Sequence, residues 1–153
     1  MSIKEKLAAL GLTLPTAAAP VAAYVPAVKS GNLIFTAGQL PVVDGKLVKE
    51  GKVGSDVTAE DAKELAQICA LNALAAISLF ADLNQIEQVV RVVGFVNCTS
   101  GFKAIPAVVN GASEFLIEVF GDVNGKHART AVGVAELPLN APVEIELIVQ
   151  LKN

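Results

Sequence analysis

The last quarter of the chain, KHARTAVGVAELPLNAPVEIELIVQL from Lys126 to Leu151, constrains the fold more than any other stretch. Its second half alternates without a break. Val143, Ile145, Leu147, Val149 and Leu151 point one way, and Glu144, Glu146, Ile148 and Gln150 the other. Alternation of period two places one face of a strand in a core and leaves the opposite face partly wet. A first strand is expected over Ala128–Glu136, joined to Val143–Leu151 by the proline-bearing connection from Leu137 to Pro142. In that first strand Thr130, Val132, Val134 and Glu136 share one face, and Arg129, Ala131, Gly133 and Ala135 the other. An arginine beside a floor of small residues leaves room for a ligand or a second subunit. A guanidinium fixes a carboxylate through two parallel hydrogen bonds.

The helices announce themselves by their caps. Ser2-Ile3-Lys4-Glu5 predicts a capping box for a short helix that stops at Gly11. Leu12 to Ala23 is alanine-rich, carries Pro15 and Pro20, and is expected to lie as an irregular arm on the surface. Tyr24–Lys29 and Leu33–Ala37 predict a hairpin across Ser30-Gly31-Asn32. Asp44-Gly45 predicts a tight turn between Val42-Val43 and Leu47-Val48. Thr58, with Asp61 three residues on, opens a helix expected to reach about Ala81. Its core stripe is Leu65, Ile68, Cys69, Ala73, Ala76, Ile77 and Phe80. Val89–Val96 is a nearly continuous apolar run, expected as a central strand. Pro106 sits in the first turn of a helix that should run to Phe120 and stop at Gly121, with Val108, Val109, Ala112, Phe115, Leu116 and Val119 buried.

The order is β-β-(β)-α-β-α-β-β, a two-layer α+β domain with both long helices on one sheet face. The opposite face is then expected to carry Arg129, Glu144 and Glu146 and to be covered by association. The 153 residues suffice for one domain and one core, with residues 1–19 as a helix-and-arm extension.

Composition narrows the function. The formal net charge is −3 and no basic run occurs, which argues against an electrostatic footprint for nucleic acid. No stretch reaches the roughly 18 apolar residues of a transmembrane helix. The start of the chain does not have the form of a signal peptide, because Glu5 interrupts its basic end and Gly11, Thr13 and Pro15 break the apolar run. Cys69 and Cys98 show no metal or redox spacing and are expected as structural, reduced thiols of a cytoplasmic protein.

H-A-R-T-A-V-G-V-A-E-L-P with V-E-I-E, together with Thr36-Ala37-Gly38-Gln39-Leu40-Pro41 and Tyr24-Val25, resembles the Rid family, also called YjgF or L-PSP endoribonuclease-like. The resemblance runs from about Pro20 to Leu151. It implies a chorismate-mutase-like fold, a homotrimer with ligand clefts between subunits, and hydrolysis of reactive enamines and imines to 2-keto acids and ammonia, without metal or cofactor. It further implies that Arg129 holds the substrate carboxylate, that Glu144 activates water, and that Tyr24, Gly38 and Asn110 contribute to substrate binding. Ala131 replaces a cysteine, and Lys126 an aromatic residue, often found in the family's deaminases. His127 stands where those members tend to have proline, and it is expected as a structural or exposed histidine. These departures also fit a sensor that binds small carboxylates without turnover. An endoribonuclease, suggested by the family's alternative name, fits the acidic charge poorly. A purely structural protein is the remaining class.

Arg129 opens one strand and Glu144 the next, and a short connection makes the two strands antiparallel. About six residues at roughly 3.3 Å each then separate the groups by on the order of 20 Å. One chain is not expected to bring both to one small substrate, so each site is expected to be shared between subunits.

Overall fold

A computed structural model describes residues 1–18 and 23–153; Ala19 to Ala22, including Pro20 of the expected arm, lie outside the described residues. The elements are α1 (Ile3–Ala9), β1 (Ala27–Ser30), β2 (Leu33–Thr36), β3 (Val42–Val43), β4 (Lys46–Leu47), α2 (Ala59–Ser78), β5 (Ile86–Asn97), α3 (Ile105–Asn124), β6 (Ala128–Val134) and β7 (Val143–Leu151). Five strands form one sheet in the order β1-β2-β7-β5-β6. Only the β5–β6 pair is parallel. β3 and β4 form a separate small hairpin. Its turn residues, Asp44 and Gly45, both take positive φ, as a two-residue hairpin requires.

The caps form as the residues predict. Ser2 accepts from the Glu5 amide at 3.2 Å, while the Glu5 carboxylate accepts from the Ser2 amide at 2.7 Å. Gly11 ends that helix at φ 72°. Thr58 accepts from the Asp61 amide at 3.1 Å. Gly121 interrupts α3 at φ 86°, but the chain resumes one more helical turn to Asn124 instead of stopping. Several other expected boundaries move, among them the end of β6, which lies at Val134 rather than Glu136. β1 begins at Ala27 rather than Tyr24, α2 ends at Ser78, and β5 is longer than expected because the stretch around Ile86 already pairs with β7.

The core lies between the sheet and α2 and α3. Every residue of the expected α3 stripe is buried, and so are Val143, Ile145, Leu147, Val149 and Leu151 of β7. In α2 the expected stripe holds for Leu65, Cys69, Ala73, Ala76 and Ile77, whereas Phe80 lies past the helix end and is 40% exposed. The helices cross at Gly111, where an added Cβ would stand 1.8 Å from the Lys63 carbonyl oxygen. A Lys63–Glu114 ion pair of 2.7 Å bridges the same crossing. α1 packs Ile3 and Leu7 into the core edge, and Lys6 Nζ donates to the Val119 carbonyl at 2.9 Å. Among the described residues, no helix is long and apolar enough to cross a membrane.

The register of β6 corrects one expectation. Arg129, Ala131 and Gly133 stand beside Val92, Gly94 and Val96 of β5, which face the helices. The arginine face is therefore the helix face, and the small-residue floor is roofed by α3. A Cβ on Gly94 would meet Val109 at 2.5 Å, and one on Gly133 would meet the Cys98 Sγ at 2.8 Å and Ile105 at 3.0 Å. Small residues here let the helix sit close to an edge strand. Val132 turns outward instead and is 39% exposed. Glu144 and Glu146 do lie on the uncovered face, with Phe95 and Val93 beside them. Phe35 and Ile148 pair on that face too.

Candidate functional site

The five residues marked by the sequence fall into two groups. The first is built on β6 and α3. Arg129 reaches under α3, where its Nη1 donates to Asn110 Oδ1 at 2.7 Å and to Ser113 Oγ at 3.3 Å. Asn110 and Ser113 are one helical turn apart, so both meet the same strand position. Among the described residues no carboxylate forms an ion pair with Arg129. The guanidinium is half-buried and held by neutral groups alone, with donors left for an anion.

The second group is built on the far side of the sheet. β2 ends at Thr36, and the chain turns through Gly38 onto Gln39, which exchanges backbone hydrogen bonds with Ile145 at 2.8 and 3.0 Å. This places Gly38 directly over Glu144. A Cβ at Gly38 would lie 2.0 Å from Glu144 Oε1. Burial pushes the Glu144 carboxyl above its ordinary range, and the neighbouring Glu146 charge adds to the rise. No ion pair compensates it among the described residues. Gly38 also lines a cavity of about 370 Å³ with Tyr24, Gln39, Asp44, Asn72 and the arm residues Pro15–Ala18. Asn72 is fixed there by its amide, which donates to the Leu40 and Val42 carbonyls at 3.0 and 2.9 Å.

The two groups do not meet within one chain. Arg129 stands beside Val92 and Glu144 beside Phe95, with β5 between their strands. Three residues along the strands and two strand spacings across give a backbone separation of about 14 Å, shorter than the sequence suggested. The side chains also leave opposite faces of the sheet. β6 and β7 do run in opposite directions, as expected, but they are not neighbours.

Two members of the arginine group escaped the sequence reading. Ser113 is an ordinary helix residue by composition. The Asn110–Ser113 spacing was the available signal for Ser113, but it names no partner strand. His127, set aside as structural, bonds to Ser113 at 2.8 Å and so joins the arginine group. Cys69 is fully buried, and burial raises its thiol pKa well above the ordinary value, which fits the structural role expected of it. No group of three or more His, Cys, Asp or Glu that could hold a metal ion occurs among the described residues.

Gly38→Ala tests the second group. The methyl must displace the Glu144 carboxylate, the mobile end of a side chain, so the fold should tolerate it. The expected result is a melting temperature within a few degrees of wild type, with a drop of roughly tenfold or more in any activity that needs Glu144 in place. Unchanged activity in a folded Gly38→Ala protein would show that the carboxylate position is immaterial.

The two-layer α+β fold, a mixed sheet with both long helices on one face, is that of a chorismate-mutase-like protein. The family described as "YjgF/chorismate_mutase-like, putative endoribonuclease" matches residues 4–151. The chain belongs to this YjgF/RutC family. It is 39% identical over 152 residues to Protein TCP17 of Trypanosoma cruzi, covering 99% of this chain and 95% of that one. It is 33% identical over 139 residues to the 2-iminobutanoate/2-iminopropanoate deaminase of Escherichia coli K12, covering 89% of this chain and 94% of that one. The crystal structure of Atu1372, a protein of unknown function from Agrobacterium tumefaciens, superposes with a TM-score of 0.89 at 43% identity, covering 98% and 92% of the two chains.

Proposed function

We propose that the protein is a cytoplasmic deaminase that hydrolyses 2-imino acids, and their enamine tautomers, to 2-keto acids and ammonia. Each site would join the Arg129 group of one copy to the Glu144 group of a second copy within a homotrimer. The observation that carries this is the pair of incomplete half-sites: among the described residues, a caged cation without an anion, and a desolvated carboxylate without a cation. Some relatives bear deaminase names, which supports the enzymatic reading. The uncovered sheet face supports association, because Val28 and Phe35 stand on it 53% and 39% exposed.

The chemistry needs little beyond placement. Arg129 neutralises the substrate carboxylate and fixes C2 of the imine next to a water. The water oxygen bonds to C2 as one of its protons passes to Glu144, the C=N π bond breaks, and the imine nitrogen takes a proton from solvent, which the hydroxyl proton released at the end returns. Glu144 then protonates the nitrogen of the carbinolamine. The C–N bond breaks, ammonia leaves, and the hydroxyl proton is released as the 2-keto acid forms. A carboxyl whose pKa is raised serves both directions of this transfer better than an ordinary one.

The test mixes Arg129→Ala with Glu144→Gln subunits after dissociation and reassembly, with imines generated in situ by an amino-acid oxidase. Each variant alone should be nearly inactive. Mixed assemblies should regain part of the wild-type rate, because some clefts then hold both intact groups. Activity that stays at the level of the single variants despite verified mixing, or full activity in a monomer, rejects the shared site. Wild-type turnover should fall as pH drops through the raised Glu144 pKa, since the base must be ionised.

A second reading is a non-catalytic binder of small carboxylates. Ala131 favours it, because the strand residue two positions after Arg129 offers only a methyl group on that wall. Binding of 2-keto acids without imine turnover would select it. The endoribonuclease activity in the family's description is disfavoured by the net charge of −3.

A further inference from the structure

The arginine group contains a hydrogen-bond chain whose directions can be assigned from chemistry. His127 is half-buried at the entrance to β6, two residues before Arg129. Its Nδ1 lies 2.7 Å from the Gly125 carbonyl oxygen. A carbonyl only accepts, so Nδ1 carries the hydrogen. In the neutral ring Nε2 then offers only a lone pair. Nε2 lies 2.8 Å from Ser113 Oγ, so the single Ser113 hydroxyl hydrogen is committed to it. Ser113, 9% exposed, meanwhile accepts from Arg129 Nη1. Protonation of His127 reverses the bond between Ser113 Oγ and Nε2. Nε2–H would then donate to Ser113, and the two oxygen lone pairs would serve Nε2 and Nη1. The hydroxyl hydrogen is thereby released toward whatever Arg129 holds.

We propose that His127 and Ser113 form a proton-controlled donor at the carboxylate site: an anion bound by Arg129 draws a proton onto His127 and gains the Ser113 hydroxyl as an additional hydrogen bond. This rests on the assignment of Arg129 as the carboxylate holder.

Electrostatics gives the same sign. Burial holds the imidazole pKa below its ordinary value; the Gly125 hydrogen bond opposes that, and the Arg129 cation adds to it. A carboxylate on the guanidinium cancels the last of these effects, so binding raises the His127 pKa. By linkage, affinity rises as pH falls through the histidine's titration. Arg129 from β6 is the charged group acting on the ring. α3 contributes the uncharged Ser113 and Asn110. Lys126 and Asp122, near in sequence, pair with each other at 3.8 Å on the surface. Glu144 titrates as well, on the other half-site, so Glu144→Gln is the background in which to isolate the histidine.

His127 is the only histidine of the chain, so its ring Cε1 proton gives one NMR signal. The titration is run without and with saturating 2-ketobutyrate, whose carboxyl stays ionised throughout. The midpoint should move up on binding. In Glu144→Gln, 2-ketobutyrate affinity should rise by about fivefold from about pH 8 to about pH 5. Adding His127→Gln should remove that rise, and adding Ser113→Ala should reduce it. A midpoint that does not move while the ligand binds, or an undiminished rise with His127→Gln, overturns the coupling. Loss of binding in Arg129→Ala, together with a wild-type His127 midpoint that stays put although 2-ketobutyrate is bound, overturns the coupling alone. Wild-type-like binding by Arg129→Ala overturns both the coupling and the carboxylate assignment.

Discussion

Arg129→Ala should lose 2-keto acid binding by roughly a hundredfold or more, and Arg129→Lys should recover little of it. A charge-assisted hydrogen bond contributes about 1.5–3 kcal/mol, and a bidentate carboxylate pair places two in one plane. Lysine keeps the charge but presents a point donor without the fork. It also has no second nitrogen with which to hold Asn110 and Ser113 while facing a ligand. In the native chain Nη1 makes both cage contacts, and Nη2 and Nε make no hydrogen bond among the described residues. Neither variant should unfold the protein, because Arg129 lies half-buried on an edge strand and makes no ion pair within the described chain. Titration calorimetry with 2-ketobutyrate decides the matter. Affinity for Arg129→Lys within threefold of wild type would mean that charge alone holds the ligand.

Gly111→Ala should produce the largest loss of stability of any single methyl added to this chain's helices. Alanine is the better helix former by about 1 kcal/mol, so propensity alone predicts a gain. The crossing with α2 reverses the sign. The new Cβ would sit 1.8 Å from the Lys63 carbonyl oxygen, a backbone atom that no rotamer change can move. The helices must part by more than an ångström along an interface that holds Ala62, Ala66, Val108 and Phe115 in the core. Overpacking of this kind costs about 1–3 kcal/mol and occasionally more. Set against the propensity gain, a net loss of about 2 kcal/mol would lower the melting temperature by roughly 4–8 °C in a domain of this size. Thermal unfolding followed by circular dichroism measures it. A melting temperature at or above wild type would show that the crossing has slack. Since Asn110 and Ser113 flank Gly111 on α3, weaker carboxylate binding should accompany the loss.

The sequence by itself determined the elements and most of their ends. β7 was legible because five apolar residues alternate without interruption against a single core. α1 and α2 were legible because Ser2 and Thr58 satisfy their own first-turn amides, a local interaction between residues three apart. The Asp44-Gly45 turn was legible for the same local reason. The family resemblance named Arg129, Glu144, Gly38, Tyr24 and Asn110 together, and of these the structure brings Arg129 to Asn110 and Gly38 to Glu144.

What only the tertiary structure decided was which face of β6 is inside. Its two faces are nearly balanced, small residues with an arginine on one and valines with a threonine on the other. On an edge strand with no fully buried residue, hydrophobicity carries almost no register signal. Shape settled it. α3 lies close to the sheet over Gly94, Ala131 and Gly133, and larger residues there would have held it away. The position of β5 between β6 and β7 was likewise invisible, because strand order is fixed by partners distant in sequence. The bond between Ser113 and His127 joins residues 14 apart through a helix end and a turn. Neither carries a local mark of the other, and packing alone turns an isolated histidine into a neighbour of the arginine.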